Sequence, residues 1–350
     1  MSPAEDPLPF AGLTGWESDD LEEALATYLS TADASAGPLP SQSTPSARAF
    51  FESAFQPVLI SGQAFYTGYY EPELAGSLQR TERFRFPLHA PPPDLREGEV
   101  WHDRAAIEAG DLLAGREIVW LDDPLEAFLA QVQGSVRIRL MDGGIVRLGF
   151  AAKNSRPYRS IGQELILRGE GTDGRISVDQ IRAWARRNPG ALGALLRINP
   201  SYVFFRALDL PAEIGPLTTM QKPAVPMRTL AVDPAHVPLG TPVWIEAEGF
   251  RRLMVAQDTG GAIKGAGRGD IYVGSGAEAG RVAGSMQLVG RMVALRRAER
   301  GLWRVDRVGC IRKSANFGKR SPRRRVPCIQ NGPSGLSGTR LCRFARSSRR

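Results

Sequence analysis

The stretch QDTGGAIKGAGRGDIYVGSG, residues 257–276, holds two aspartates, two cations and seven glycines within twenty residues. Asp258 ends the apolar run LMVAQ and Asp270 begins the run IYVGSG, so we expect two strands joined by a loop. Such a loop can place both carboxylates at one edge of a β-barrel. Its glycines let the backbone approach a ligand closely and adopt positive φ. A turn-rich loop whose aspartates cap their own backbone explains the same residue types, and both interpretations stay open at this point.

The surrounding pattern predicts a mainly β chain with helices near its start. The runs YVFFRAL, TPVWIEA, RLMVAQD and DIYVGSG are separated by Pro and Gly, which favours a small β-barrel over alternating βαβ units. Upstream, ESDDLEEALATYLS and ARAFFESAF predict helices. The segment GSVRIRLMDGGIVRLGFA predicts a hairpin at Asp142-Gly143. SVDQIRAWARR predicts a helix that begins with a capping box from Ser177 to Gln180.

Charge divides the chain into a body and a basic tail. The formal net charge is +8, but the segment from Arg304 onward carries fourteen Lys or Arg and one Asp. The body is therefore mildly acidic, and we expect no nucleic-acid partner. The tail has sparse apolar residues without a period, so residues 301–350 are predicted to be a disordered basic tail. A shifted reading frame and a genuine cationic tail for acidic polymers both explain it.

The inventory of reactive groups excludes several enzyme classes. The three histidines are far apart and form no H-E-x-x-H pattern, G-x-S-x-G is missing, and Lys264 is not part of a G-K-[ST] phosphate loop. All three cysteines lie in the tail. We therefore expect no metal and no cofactor. No run of eighteen apolar residues occurs, so no ordinary membrane-spanning helix is expected.

Carboxylates, aromatics and amides fit polysaccharide chemistry, because glycosidic cleavage by carboxyl groups needs neither metal nor cofactor. Sugar rings use aromatic platforms and polar partners. The candidates on residue type are Phe65, Tyr66, Tyr69, Tyr70, Gln133, Ser135, Lys153, Asn154, Tyr158 and Arg159. Tyrosines at strand spacing are also typical of a barrel core, which is the alternative for Tyr66, Tyr69 and Tyr70.

Six segments in order resemble the lytic murein transglycosylase A family. They are TGYYEPEL, VQGS, AKNSRPYRSIGQ, NPSYVFFR, AVDPAHVPLGTPVWI and VAQDTGGAIKGAGRGDIYVGSGAEAGRVAG. The resemblance runs from about Phe65 to Gly290. It implies a double-psi β-barrel with a second small β-barrel domain inserted, and a groove between them that holds a glycan strand. On this chain the catalytic domain takes residues 1–72 and 207–300, and the insertion takes residues 73–206.

The resemblance also implies the reaction and its residues. The expected reaction cleaves the β-1,4 bond between N-acetylmuramic acid and N-acetylglucosamine in peptidoglycan and forms 1,6-anhydromuramoyl ends. The three aspartates of the barrel match Asp233, Asp258 and Asp270, with Asp270 as the catalytic acid and Asp258 as its neighbour. We expect Asp258 to orient the loop or to bias the pKa of Asp270. Asp233, Gly260, Gly261 and Lys264 complete the predicted substrate-binding set.

An acid at neutral pH needs a raised pKa, which burial or the charge of Asp258 would produce in Asp270, whereas Lys264 or Arg268 close by would oppose it.

Two alternatives stay open: a glycoside hydrolase that uses Glu71 or Glu73 as a second carboxyl, and a non-catalytic glycan-binding protein. The family implies a periplasmic or outer-membrane location and a monomer, yet the first forty residues show neither a signal peptide nor a lipidation cysteine.

Overall fold

A computed structural model describes residues 7–35, 37–211, 213–298, 303–305 and 311–313 of the 350-residue chain. Contacts divide the chain into Met1–Ala298 and Glu299–Arg350. In the first unit the helices are α1 (Leu21–Ser35), α2 (Ala47–Ala54), α3 (Arg104–Ala109), α4 (Pro124–Gln133), α5 (Ile161–Leu167), α6 (Val178–Arg187), α7 (Pro189–Leu196) and α8 (Gly276–Ser285). The strands are β1 (Phe55–Glu71), β2 (Glu73–Ser77), β3 (Phe86–His89), β4 (Glu117–Leu121), β5 (Ser135–Leu140), β6 (Ile145–Lys153), β7 (Val203–Leu208), β8 (Thr229–Val232), β9 (Pro242–Ala247), β10 (Phe250–Asp258), β11 (Arg268–Ser275) and β12 (Gln287–Arg297).

Six strands form a closed barrel in the order β1-β11-β8-β10-β9-β12. Two neighbouring pairs, β1 with β11 and β8 with β10, are parallel, and the other pairs are antiparallel. Its interior is filled by apolar side chains that alternate along the strands, as the period of a half-buried strand requires. Among them are Leu230, Val243, Ile245, Met254, Ile271 and Met292. The predicted double-psi barrel is confirmed.

The predicted N-terminal helices pack against the outside of this barrel. Ser46 precedes α2, and its hydroxyl accepts a hydrogen bond from the Ala49 N–H and caps the helix. Aromatic residues of both helices, among them Tyr28, Phe50 and Phe51, share one core with Trp244 of β9. This layer buries apolar surface that the barrel strands turn away from their own interior.

One buried cation ties the helical layer to the barrel. Arg228 is fully buried, and its guanidinium donates to Asp19 Oδ2 at 2.8 Å, to Glu23 Oε2 at 2.7 Å and to the Leu253 carbonyl at 2.8 Å. A buried charge with several donors needs this many acceptors, because burial without them is costly. The segment before α1 is thereby joined to the start of β8.

The inserted region forms a second sheet of six strands in the order β3-β4-β2-β5-β6-β7, covered by helices. The predicted hairpin is present, since β5 and β6 pair antiparallel around a turn in which Gly143 has φ of 89°. The predicted capping box is present as well, because Ser177 and Gln180 exchange hydrogen bonds at the start of α6. Buried residues of α4 to α7 form the adjoining core, including Phe128, Leu165, Trp184 and Leu195.

This second sheet differs in detail from the closed small barrel expected for the insertion. Its end strands β3 and β7 lie close together, so the sheet curls, but within the described residues no ladder of hydrogen bonds joins them. The chain leaves the first barrel between Glu71 and Glu73, and β7 continues through Leu208, which pairs with Arg147. The β6–β7 pairing thus runs from Lys153 with Val203 to Arg147 with Leu208.

The unit Glu299–Arg350 contains a short antiparallel hairpin of β13 (Trp303–Val305) and β14 (Ile311–Lys313). This hairpin lies in the segment that the sequence predicts to be disordered. The rest of that predicted tail lies outside the described residues.

Candidate active site

A cleft of about 850 Å³ lies between the first barrel and the inserted sheet. The barrel contributes Tyr69, Asp258, Gly260, Gly261 and Lys264 to its wall. The insertion contributes Gln133, Ser135, Lys153 and Tyr158 to the opposite wall. Nine residues predicted from the sequence are thus brought to one cleft from segments up to two hundred positions apart.

Asp270 is a half-buried carboxyl near the start of β11, next to Thr67 of the parallel strand β1. Burial raises the pKa of Asp270 to about 6, and the charge of Asp258 adds to this rise. The hydrogen bond from Thr67 and the charge of Arg268 act in the opposite direction. Asp270 is not itself part of the cleft wall, but its charge acts on Tyr69 and Asp258, which are. A carboxyl with this pKa is partly protonated near neutral pH and can donate a proton.

Asp258 ends β10 and has both oxygens engaged. Oδ2 accepts a hydrogen bond from the Tyr69 hydroxyl at 2.9 Å. Oδ1 accepts from the Thr219 N–H at 2.9 Å, the Thr219 hydroxyl at 2.8 Å and the Thr259 N–H at 2.9 Å. Burial, followed by the charge of Asp258, raises the pKa of Tyr69 well above its usual range, so the phenol stays neutral and remains a donor. With four donors around it, the Asp258 carboxyl acts as a hydrogen-bond acceptor.

Asp233 holds the glycine-rich loop that follows Asp258. Its carboxylate accepts hydrogen bonds from the Gly265 N–H at 2.8 Å and the Ala235 N–H at 3.2 Å. The first of these contacts is the main reason that the pKa of Asp233 lies below its usual value, with smaller contributions that include the charge of Lys264. Asp233 is therefore an anchor of the loop, and it does not line the cleft.

Two glycines of the loop have a definite structural cause. Gly265 has φ of 96°, a backbone conformation that residues with a Cβ rarely adopt. A Cβ on Gly260 would lie 2.6 Å from Cγ1 of Ile263, whose side chain is buried beneath the loop. The loop is thus folded down on Ile263, and bare backbone at Gly260 and Gly261 faces the cleft.

Tyr69 and Tyr70 lie in different surroundings, on either side of a register shift in the pairing of β1 with β11. Tyr69 lines the cleft. The ring of Tyr70 lies against Gly280 of α8, where an added Cβ would come within 2.7 Å of the ring. Of the other residues predicted for the site, Gln133 is bound by the backbone N–H of Tyr70, which donates to Gln133 Oε1 at 3.1 Å. The geometry groups Tyr69 with the cleft and Tyr70 with the packing behind it.

The other predicted sugar-binding residues also fall into two groups, those that line the cleft and those that are buried behind it. Asn154 is fully buried and its amide donates to the His102 and Pro200 carbonyls, both at 2.8 Å, so it organises the loop that carries Tyr158. Tyr66 is fully buried in the barrel core. Lys153 is exposed at the end of β6 and lines the cleft.

Sequence reasoning missed several residues of the site. Thr219 binds Asp258 from an irregular segment 39 positions upstream, which carries no local signal. Thr67 lies within TGYYEPEL, where nothing local singles it out, and its hydroxyl donates to Asp270. Phe150 lines the cleft with 48% of its surface exposed, and Arg206 lines it as well. An exposed aromatic on a predicted strand is the one signal that would have indicated Phe150.

Glu71, a candidate second carboxyl, is fully buried at the end of β1 and does not line the cleft. Arg137 Nε donates to it at 2.6 Å and Arg147 Nη2 at 3.0 Å, and the Ser275 hydroxyl donates at 2.8 Å. Glu73 pairs with Arg139 on the adjoining strand. Among the described residues no group of His, Cys, Asp and Glu is arranged to hold a metal ion, and no helix is long and apolar enough to cross a membrane.

Comparison with known proteins places these features in a family. The family model described as the MltA specific insert domain matches residues 65–206, and the 3D domain model matches residues 228–296. Membrane-bound lytic murein transglycosylase A of Escherichia coli (strain K12) is 35% identical over 251 residues, which cover 68% of this chain and 67% of the relative.

Solved structures of lytic murein transglycosylases support the same family assignment. The crystal structure of a membrane-bound lytic murein transglycosylase from Agrobacterium tumefaciens is 31% identical with a TM-score of 0.71, over 83% of this chain and 97% of that one. E. coli MltA with bound chitohexaose is 27% identical with a TM-score of 0.67, over 85% and 93% of the two chains. The chain is an enzyme that belongs to the membrane-bound lytic murein transglycosylase A family.

Proposed function

We propose that this enzyme cleaves the β-1,4 bond between N-acetylmuramic acid and N-acetylglucosamine in peptidoglycan and leaves 1,6-anhydromuramoyl ends. Asp270 donates its proton to the glycosidic oxygen as the bond from that oxygen to the muramoyl C1 breaks. The muramoyl C6 hydroxyl then attacks C1, and its proton passes to the Asp270 carboxylate. One carboxyl serves as acid and then as base, because the nucleophile belongs to the substrate.

The observation that carries this proposal is the contrast between Asp258 and Asp270. Asp270 has a pKa raised to about 6 by burial and accepts from Thr67 through one oxygen. Asp258 accepts four hydrogen bonds and is engaged through both oxygens. Two neighbouring carboxyls in different environments are the usual basis for different roles in acid–base catalysis. Asp270 is the proton carrier and Asp258 positions Tyr69 and the loop.

The hydrolase alternative requires a second carboxyl that activates water. Glu71 is bound by two arginines and Ser275 in the interior, and Glu73 pairs with Arg139. Neither lines the cleft. These contacts favour the internal nucleophile over an activated water.

The ligand is a glycan strand that lies along the cleft, with the insertion residues Gln133, Ser135, Lys153 and Tyr158 on one side. On the other side lie Tyr69, Gly260, Gly261 and Lys264. Chitohexaose, which is bound to the related E. coli MltA, is a glycan ligand of that protein and supports this assignment. We propose that this chain acts as a monomer in the periplasm or at the outer-membrane periphery, as the name of the membrane-bound relatives suggests.

Product analysis tests the proposal. Purified peptidoglycan is treated with the wild type, Asp270→Asn and Asp258→Asn, and the soluble fragments are measured by mass spectrometry. We expect fragments lighter by one water than hydrolysis products from the wild type, none from Asp270→Asn, and reduced amounts from Asp258→Asn. Fragments with free reducing ends from the wild type would favour the hydrolase. Full activity of Asp270→Asn would remove Asp270 from the reaction.

A further inference from the structure

A line of three side chains runs along the parallel edge between β1 and β11. Arg268 Nη2 donates a hydrogen bond to Thr67 Oγ1 at 2.6 Å, and the Thr67 hydroxyl donates to Asp270 Oδ1. The strand register accounts for the arrangement. Phe65 lies opposite Arg268 and Thr67 lies opposite Asp270, so alternate residues of both strands share one face.

The direction of this line is fixed by chemistry. A guanidinium has donors and no acceptor, so the Thr67 oxygen must accept from Arg268. The single hydroxyl proton of Thr67 is then directed to Asp270 Oδ1. A hydroxyl that receives a charged donor is also a stronger donor itself, because hydrogen bonds in a chain polarise one another.

Arg268 is held in place by several contacts. Its guanidinium lies over the Phe65 ring at 5.3 Å and also donates to the Gly269 carbonyl. It is half-buried, and no ion pair joins it to a carboxylate within the described residues. Arg268, the cation nearest to Asp270 in sequence, is therefore connected to it by hydrogen bonds through Thr67.

The two oxygens of Asp270 are consequently unequal. Oδ1 accepts from Thr67, whereas Oδ2 has no hydrogen-bond partner in the described part of the protein. Oδ2 is also absent from the buried unpaired atoms there, which are Arg116 Nε, Arg147 Nε and Trp244 Nε1, so it is not completely enclosed. Because Oδ1 faces a donor, the proton of the neutral acid belongs on Oδ2.

We propose that Arg268 and Thr67 are positioning residues that keep the acidic proton of Asp270 on Oδ2, the oxygen that accepts no hydrogen bond from the described residues. This inference rests on the function proposed above and adds a structural reason for the efficiency of a single carboxyl. General acids act well only when the proton points at the atom that receives it.

Other charged groups around Asp270 determine the expected pH effect. Asp258 raises its pKa, and Arg268 and the Thr67 hydrogen bond lower it. The neighbouring phenol of Tyr69 is neutral, β8 presents Ala231 opposite Asp270, and the charged residues of α8, Glu278 and Arg281, are exposed and pair with each other. Loss of the Thr67 hydroxyl removes a contact that lowers the pKa, so the pKa of Asp270 rises.

The test compares Thr67→Val with Thr67→Ser on soluble uncross-linked glycan strands, measuring kcat and KM from acid to alkaline pH. Thr67→Val keeps the shape and loses the donor. We expect a fall in kcat of about tenfold with little change in KM, and an alkaline limb displaced to higher pH. Thr67→Ser restores both. Thr172→Val, the same exchange on an exposed turn of the insertion, is the matched control and keeps the wild-type profile.

Arg268→Met tests the link between the two residues. If Arg268 acts through Thr67, the double variant Thr67→Val/Arg268→Met has a kcat close to that of Thr67→Val alone. Fold-changes that multiply would mean that Arg268 acts by its charge alone and would overturn the proposed line.

Two further outcomes separate the claims. A Thr67→Val enzyme with the wild-type pH limb, or one that loses activity equally at every pH and is not restored by Ser, overturns the positioning role. If Thr67→Val does not fold, Arg268→Met alone still tests the line, because a kcat and an alkaline limb equal to those of the wild type would overturn it. A wild type that makes no anhydro products defeats the proposed function itself, which is a different result.

Discussion

Replacing Asp270, the proposed acid, by its neutral isostere asparagine should make the protein more stable at neutral pH. The fold raises the pKa of Asp270 from 3.8 to about 6, mainly through burial. Each unit of pKa corresponds to about 1.4 kcal/mol, so ionising Asp270 in the folded protein costs at most about 3 kcal/mol. The side chain is only half-buried, and solvent screening reduces our expectation to about 1–2 kcal/mol.

The direction of the pH dependence follows from the thermodynamic linkage between proton binding and folding. A carboxyl whose pKa is higher in the folded state favours the fold fully below pH 3.8, and this contribution is lost as the pH rises through about 6. Asp270→Asn cannot ionise, and its Oδ1 still accepts from Thr67. The variant should therefore match the wild type in unfolding free energy near pH 4 and exceed it by about 1–2 kcal/mol at pH 8.

Urea or guanidinium unfolding at pH 4 and pH 8 measures this difference. Asp258→Asn is the matched control, because the same exchange at Asp258 disturbs the hydrogen bonds from Tyr69, Thr219 and Thr259 and should destabilise the protein. An Asp270→Asn variant that is no more stable than the wild type at pH 8, or that shows the same gain at both pH values, would refute the reasoning.

Three further predictions follow from single contacts. Asp233→Ala removes the acceptor of the Gly265 N–H, so the loop loosens and KM should rise more than kcat falls in steady-state kinetics; an unchanged KM would contradict this. Glu71→Ala leaves Arg137 and Arg147 unpaired in the interior, and chemical denaturation should show a loss of about 3–5 kcal/mol; a loss under about 1 kcal/mol would contradict the buried ion-pair argument. Gly265→Ala imposes a side chain at φ of 96° and should cost about 1–3 kcal/mol with reduced activity, whereas Gly261→Ala, where an added Cβ meets no atom, should leave stability nearly unchanged.

Much of the fold is visible in the sequence because local signals and the long-range structure agree. Asp142-Gly143 between two β-rich runs predicts the β5–β6 hairpin, and Ser177 with Gln180 predicts the start of α6. The short apolar runs TPVWIEA, RLMVAQD and DIYVGSG predict the barrel strands β9, β10 and β11, whereas YVFFRAL, the first run of the same series, forms β7 of the second sheet. Closure of the second sheet is different, since it depends on whether β3 and β7 pair, and neither strand carries a local signal of its partner.

The candidate site also has a part that local sequence signals predict and a part that depends on remote segments. Asp258 and Asp270 stand out because each adjoins an apolar run and a glycine-rich loop. Their different surroundings depend on partners from remote segments, Thr219 for Asp258 and Thr67 for Asp270, which only the folded chain reveals. The faces of Tyr69 and Tyr70 likewise depend on the strand register, which shifts between these two residues at the β1–β11 edge.

In the proposed reaction the substrate's own C6 hydroxyl, and not water, displaces the leaving sugar while Asp270 carries the proton. Mass spectrometry of peptidoglycan digested by the wild type in water enriched in heavy oxygen distinguishes the two nucleophiles directly. We expect 1,6-anhydro ends that carry no heavy oxygen, and no such ends with Asp270→Asn. Reducing ends that carry heavy oxygen would show attack by water and would contradict it.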